Sequence, residues 1–144
     1  MKTRFSSLVT VKKNSMQKSE RVVQTANKNL QNAKEALQTS LLELQQIATP
    51  HEGNMAEFLA NRSLLDAQRA LIAHNEGWVA YAQEELLEAQ EQLKRDMIEY
   101  EKFKYLELQE IEKVLKAQKV QEAKDLDEVA LMTHTKKTKM REAS

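Results

Sequence analysis

Ala48-Thr49-Pro50-His51-Glu52-Gly53-Asn54 holds the only proline of the chain and one of its two glycines. No other stretch reads as a loop. Outward from it, residues 6–48 contain no helix breaker, and residues 55–132 contain only Gly77. Asn54, with Glu57 three positions on, has the form of a helix N-cap in a variant capping box. The spacing predicts a single coiled-coil domain over 1–144. It comprises a first helix over about 6–48, a loop at 49–54, a second helix over about 55–132 and a flexible basic tail at 133–144.

Composition agrees. The chain has 144 residues, 5% aromatic and 31% charged, with a mean hydropathy of −0.67. Such a profile suits helices with an apolar stripe and is poor in the loops that build a catalytic pocket. Cysteine is absent, which excludes a disulfide framework, a thiol nucleophile and a thiolate metal site. Met1 to Thr10 has no apolar stretch long enough for a signal peptide, and no run of about twenty apolar residues would span a membrane. A cytoplasmic location is expected.

The apolar period is seven. Val9, Met16, Val23, Leu30, Leu37 and Leu44 recur on the first helix, and Phe58, Leu65, Ile72, Val79, Leu86, Leu93 and Tyr100 on the second. A strict heptad over this length indicates a left-handed coiled coil. The expected class is therefore all-α, an antiparallel two-helix coiled-coil hairpin with a longer second helix. Folding back pairs Leu44 with Phe58, Leu37 with Leu65, Leu30 with Ile72, Val23 with Val79 and Val9 with Leu93. A second, thinner seam carries Ala26 and Ala33 against Ala82 and Ala89. Residues 1–28 are basic and residues 74–101 acidic, and the hairpin lays one beside the other. Exposed pairs of this kind contribute about 0.2–1 kcal/mol each, so they act on orientation and register.

At about 1.5 Å per residue the helices span roughly 60 Å and 120 Å, which leaves the second without an intrachain partner beyond about Tyr100. Its apolar positions nevertheless continue through Leu108, Ile111, Leu115, Leu126 and Val129. An unpaired amphipathic helix is a candidate binding or oligomerisation surface. Near the loop, Leu64, Leu71 and Trp78 form a further seven-spaced row beside Gly77. This row reads either as a thickened core filled by Leu41, Ile47 and Met55, or as an exposed patch for a partner.

Catalysis finds little footing. His51, His74 and His134 are dispersed, the carboxylates follow helical spacing as a solvated face, and no phosphate-binding glycine loop occurs. No enzyme activity, metal or cofactor is expected. The basic run from Thr135 to Arg141 lacks aromatic interleaving and does not indicate nucleic-acid binding.

Tyr100-Glu101-Lys102-Phe103-Lys104-Tyr105-Leu106-Glu107, then Gln121 to Ala130 with its Leu126-Asp127-Glu128-Val129-Ala130 run, resembles the C-terminal signature of the flagellar FliJ family. Phe5-Ser6-Ser7-Leu8-Val9 with Lys12-Lys13 is similar to that family's N-terminus. The resemblance implies a non-enzymatic component of the flagellar type III export apparatus, with a fold like the central stalk of rotary ATPases. It further implies insertion into the export ATPase hexamer, contact with the cytoplasmic linker of the membrane export gate, escort of export chaperones, and a peripheral position at the inner face of the cell membrane. For the ATPase ring it points to Leu108, Ile111, Leu115, Leu126, Asp127, Glu128 and Val129. For the gate it points to Ala70 and His74, spaced as in the family, with Phe58, Leu64, Leu71 and Trp78 from the same end. Ser63 stands where the family's pattern has an aromatic. A stalk is expected to be mainly monomeric alone. The other readings are a dimeric coiled-coil adaptor unrelated to secretion and a hairpin holdase chaperone.

Overall fold

The computed structural model describes residues 2–143; Met1 and Ser144, the ends of the predicted N-terminal segment and basic tail, lie outside the described residues. The chain is an antiparallel hairpin of α1 (Ser6–Gln46) and the longer α2 (Met55–Ala143). Contacts group into two compact units, residues 13–98 and residues 1–12 with 99–144. Packing along a two-helix seam is local, so distant stretches share few neighbours.

Both helix starts are capped. At α1, Phe5 N–H donates to Thr3 Oγ1 (3.1 Å), while Thr3 N–H donates to Ser6 Oγ (2.8 Å), which occupies donors that would otherwise be orphaned. At α2, Glu57 N–H donates to Asn54 Oδ1 at 2.9 Å, so Asn54 is the N-cap the sequence indicates.

Within residues 13–98 the most buried positions form one heptad row on each helix. These are Ser19, Ala26, Ala33 and Ser40 on α1, and Asn75, Ala82 and Ala89 on α2. Ala33, Ser40 and Ala82 are at most 2% exposed, whereas most of the large aliphatics flanking them are half-buried. The thin seam is thus the centre of the interface. Small side chains let the two backbones approach, and polar members at its ends are all satisfied. Asn75 Nδ2 donates to Ser40 Oγ (3.1 Å) and Ala36 O (3.2 Å), Gln68 Nε2 donates to Ser40 O (2.8 Å), and Ser19 Oγ donates to Asp96 Oδ2. No buried side-chain nitrogen or oxygen among the described residues lacks a partner.

These bonds fix the register and correct the expected pairing. Ser40 sits between Gln68 and Asn75, so it lies level with about residue 72, roughly ten residues farther along α2 than the predicted pairing places it. Stepping by heptads, Ala33 is level with Val79, Leu30 with Ala82, Ala26 with Leu86 and Val23 with Ala89. Each layer sets a large residue against a small one, the arrangement that fills space without strain. The loop is responsible. It does not turn tightly but runs back beside the first turns of α2, tied by Asn61 Nδ2 to Ala48 O at 2.6 Å. Phe58, expected opposite Leu44, is therefore 43% exposed.

The register also alters the charge pairing. Among the described residues of 13–98 no ion pair crosses between the helices; the pair there is Arg69–Asp66, within α2. In the other unit, Lys12–Glu99 (3.6 Å) and Arg4–Glu110 (3.8 Å) do cross, and Lys12 Nζ stands 5.6 Å from the Phe103 ring. Half-buried positions in that unit continue to Val114, past the Tyr100 limit expected from the shorter register.

Helix continues where a flexible tail was predicted, to Ala143. No glycine or proline comes after Gly77, and Thr135 and Thr138 hydroxyls donate to the carbonyls of Leu131 and His134 one turn back (2.9 and 3.0 Å). Polar residues without breakers do not end a helix.

Candidate partner-binding surfaces

Two exposed surfaces contain the residues singled out by sequence. The first lies in the unit containing residues 99–143, where every described residue from 115 to 142 is exposed. At about 100° per residue, Leu108, Ile111, Leu115, Leu126 and Val129 fall within roughly 60° of one another. Ile111 is half-buried and the other four are exposed. Met140 falls on the same stripe, a member hidden from a reading of apolar spacing because it lies in the predicted tail. Asp127 and Glu128 do not share this face; each lies roughly 130° from its centre, on opposite flanks. They bound the stripe and cannot meet the same partner surface squarely.

The second surface lies within residues 13–98. Leu64, Leu71 and Trp78 succeed one another at heptad spacing and all remain exposed. Leu41 and Met55 are exposed too and Ile47 is only half-buried, so these three do not fill a thickened core. His74 is on the same side of α2 and Ala70 at its edge, whereas Phe58 points roughly 140° away. The structure therefore brings Leu64, Leu71, His74 and Trp78 together and separates Phe58 from them.

Gly77 gives this surface its relief. A Cβ built there meets no atom within 4 Å, so nothing in the chain requires glycine. The missing side chain opens a notch lined by Ala73, His74, Trp78 and Tyr81. Tyr81 was not anticipated, although His74, Trp78 and Tyr81 have the i, i+4, i+7 spacing of one helix face. Beside the notch a groove of about 600 Å³ runs between the helices, with Lys18, Arg21 and Val22 on one wall and Trp78, Tyr81 and Glu85 on the other. No group of three or more His, Asp or Glu among the described residues is placed to hold a metal ion. Among the described residues no helix is long and apolar enough to cross a membrane.

The flagellar FliJ protein family matches residues 1–139, a span that includes both surfaces. The chain belongs to the FliJ family. FliJ proteins are non-enzymatic and structural or chaperone-like, and membership identifies a flagellar, type III export-related protein. No curated protein matches the chain in sequence. It is similar to a solved structure described as a YscO homologue from Chlamydia trachomatis, at 18% identity and a TM-score of 0.46, with 94% of this chain and 96% of that one covered.

Proposed function

We propose that this FliJ-family chain acts as the central stalk of the flagellar export apparatus, binding the export ATPase hexamer through the stripe on α2 and the cytoplasmic linker of the membrane export gate through the notched surface near the loop. It works in the cytoplasm, peripheral to the inner face of the cell membrane through its partners, is mainly monomeric alone, and escorts export chaperones. The observation that carries this reading is the stripe of Leu108, Leu115, Leu126 and Val129, exposed on a helix whose residues 115–142 are all exposed. Apolar rows of this kind are surfaces for a partner.

A stalk acts on a ring by differential binding. Its helix presents different residues to different subunits, favours the conformations that fit, and shifts their populations only by that difference in affinity. Asp127 and Glu128, on opposite flanks of the stripe, would make such contacts unequal around the helix. At the other surface, the gap at Gly77 lets a partner backbone approach α2 closely, with His74, Trp78 and Tyr81 around it.

The test is the double substitution Leu126→Ala, Val129→Ala. Both side chains are exposed, so helicity by circular dichroism stays unchanged while stimulation of the purified export ATPase falls severalfold. Full stimulation by the variant would refute the ring contact. Sedimentation at several concentrations separates the adaptor reading, since an adaptor dimerising through the stripe is a stable dimer that this variant dissolves.

A further inference from the structure

We infer that the hairpin is a two-register device, in which a second register one heptad away buries Phe58 and the observed one holds it out for display. The aliphatic rows cannot distinguish the two. Met16 to Leu44 on α1 and Leu65 to Leu93 on α2 repeat every seven residues without a miss, so sliding by seven keeps the two aliphatic rows in the same phase and changes only which members of the small row stand beside them. In the observed register Leu44 lies between the levels of Leu65 and Ile72. Slid one heptad toward the start of α2, it lies between Phe58 and Leu65. Phe58 is in heptad phase with that row, yet it stands 43% exposed beyond the end of α1. The row thus has one more apolar member on α2 than the observed register uses.

What selects the observed register is the small row. Asn75 is 7% exposed, with its amide donating to Ser40 Oγ and Ala36 O, and Ser19 donates to Asp96. After the slide Asn75 would lie between Ala26 and Ala33, and Ser19 between Ala82 and Ala89, so both bonds are lost and a buried amide is left without its side-chain partner. Between these two locks the row is alanine, which tolerates either register. The loop permits the movement. Its eight residues, 47–54, are spent running beside α2, and residues 51–60 are all exposed, so their shortening opens the bond of Asn61 Nδ2 to Ala48 O and displaces little packed surface. The trade is therefore between the polar bonds of the small row, that of Gln68 Nε2 to Ser40 O included, and one aromatic ring, and the polar bonds decide whether the tip displays Phe58. This holds whatever binds there.

The chain has no cysteine, so paired cysteines report register cleanly. Residues level with one another can form a disulfide, whereas a heptad's displacement takes the Cα atoms beyond its reach. Ala33→Cys with Val79→Cys reports the observed register, Ala26→Cys with Val79→Cys the proposed one, and Ala33→Cys with Leu86→Cys a slide in the opposite sense. In the full chain under glutathione buffer, the 33–79 pair closes and the 26–79 pair closes slowly. Adding Asn75→Ala and Asp96→Ala raises the initial rate of the 26–79 pair by about tenfold or more, as expected for loss of buried hydrogen bonds. It leaves the 33–86 pair slow, and Phe58→Ala on that background removes the gain. A 26–79 rate that stays within about twofold overturns the proposal, including when the 33–79 pair is lost. So does an equal rise at 33–86, which signals fraying, or a gain that survives Phe58→Ala.

Discussion

Gly77→Ala should separate stability from binding. Glycine in a helix interior costs roughly 0.5–1 kcal/mol relative to alanine, because its unfolded chain has more freedom to lose. Here the added methyl meets no atom within 4 Å, so no steric term offsets the gain. The full propensity difference should appear, about 0.5–1 kcal/mol of added stability. Urea unfolding followed by circular dichroism reads it as a higher midpoint at unchanged slope. The same methyl fills the notch among Ala73, His74, Trp78 and Tyr81, so the proposed binding of the export-gate linker, titrated through fluorescence of Trp78, the only tryptophan, should weaken severalfold. A variant of unchanged or lower stability would refute the reading of Gly77 as a residue the fold does not need. A stabilised variant with undiminished binding would refute the notch as the contact.

The caps and charges give two further outcomes. Asn54→Ala removes the acceptor for Glu57 N–H and should cost about 1 kcal/mol, read as a lower urea midpoint; no loss would mean that water caps α2 equally well. Lys12→Met breaks the pair with Glu99, whose side chains are 32% and 43% exposed. The cost should stay under about 1 kcal/mol and shrink as salt rises, and a salt-independent loss would assign it to packing on Phe103 instead.

The hairpin and its α2 cap were legible because breakers and caps act locally. Pro50 and Gly53 can interrupt only where they stand, and Asn54 can cap only the helix that starts beside it. Register was not legible from the apolar rows for the opposite reason. A heptad repeat is its own translation, and the apolar rows alone do not reveal that Leu37 stands level with Asn75, about ten residues beyond the Leu65 that apolar matching assigns it. The discriminating residues were Ser19, Ser40, Asn75 and Asp96, polar side chains in the small row that a search for apolar periodicity steps over. The same blindness hid the helix at 133–143, where lysine and threonine give no stripe yet no breaker intervenes. At the candidate surfaces, Leu108, Leu115 and Leu126 were legible from spacing alone. The notch was not, since it is made by a side chain that is missing.

Magnitudes limit what the α2 stripe can do by itself. Leu108, Leu115, Leu126 and Val129 are 44–71% exposed, and complete burial of such a side chain contributes about 1.5–3 kcal/mol. Roughly half of that remains available at each, on the order of 4–6 kcal/mol for the four together. Association costs an estimated 4–15 kcal/mol in lost translation and rotation. One subunit covering only these side chains would therefore hold the helix weakly or not at all. A ring changes the comparison. In the proposed assembly several subunits would close on different sides of one helix and could also use Val120, Leu131 and Met132, which are exposed off the stripe, while the rigid-body cost would be met once. Apolar residues on every side of α2 are poorly suited to a dimer seam, which needs a single narrow stripe. A surrounding partner has a use for all of them.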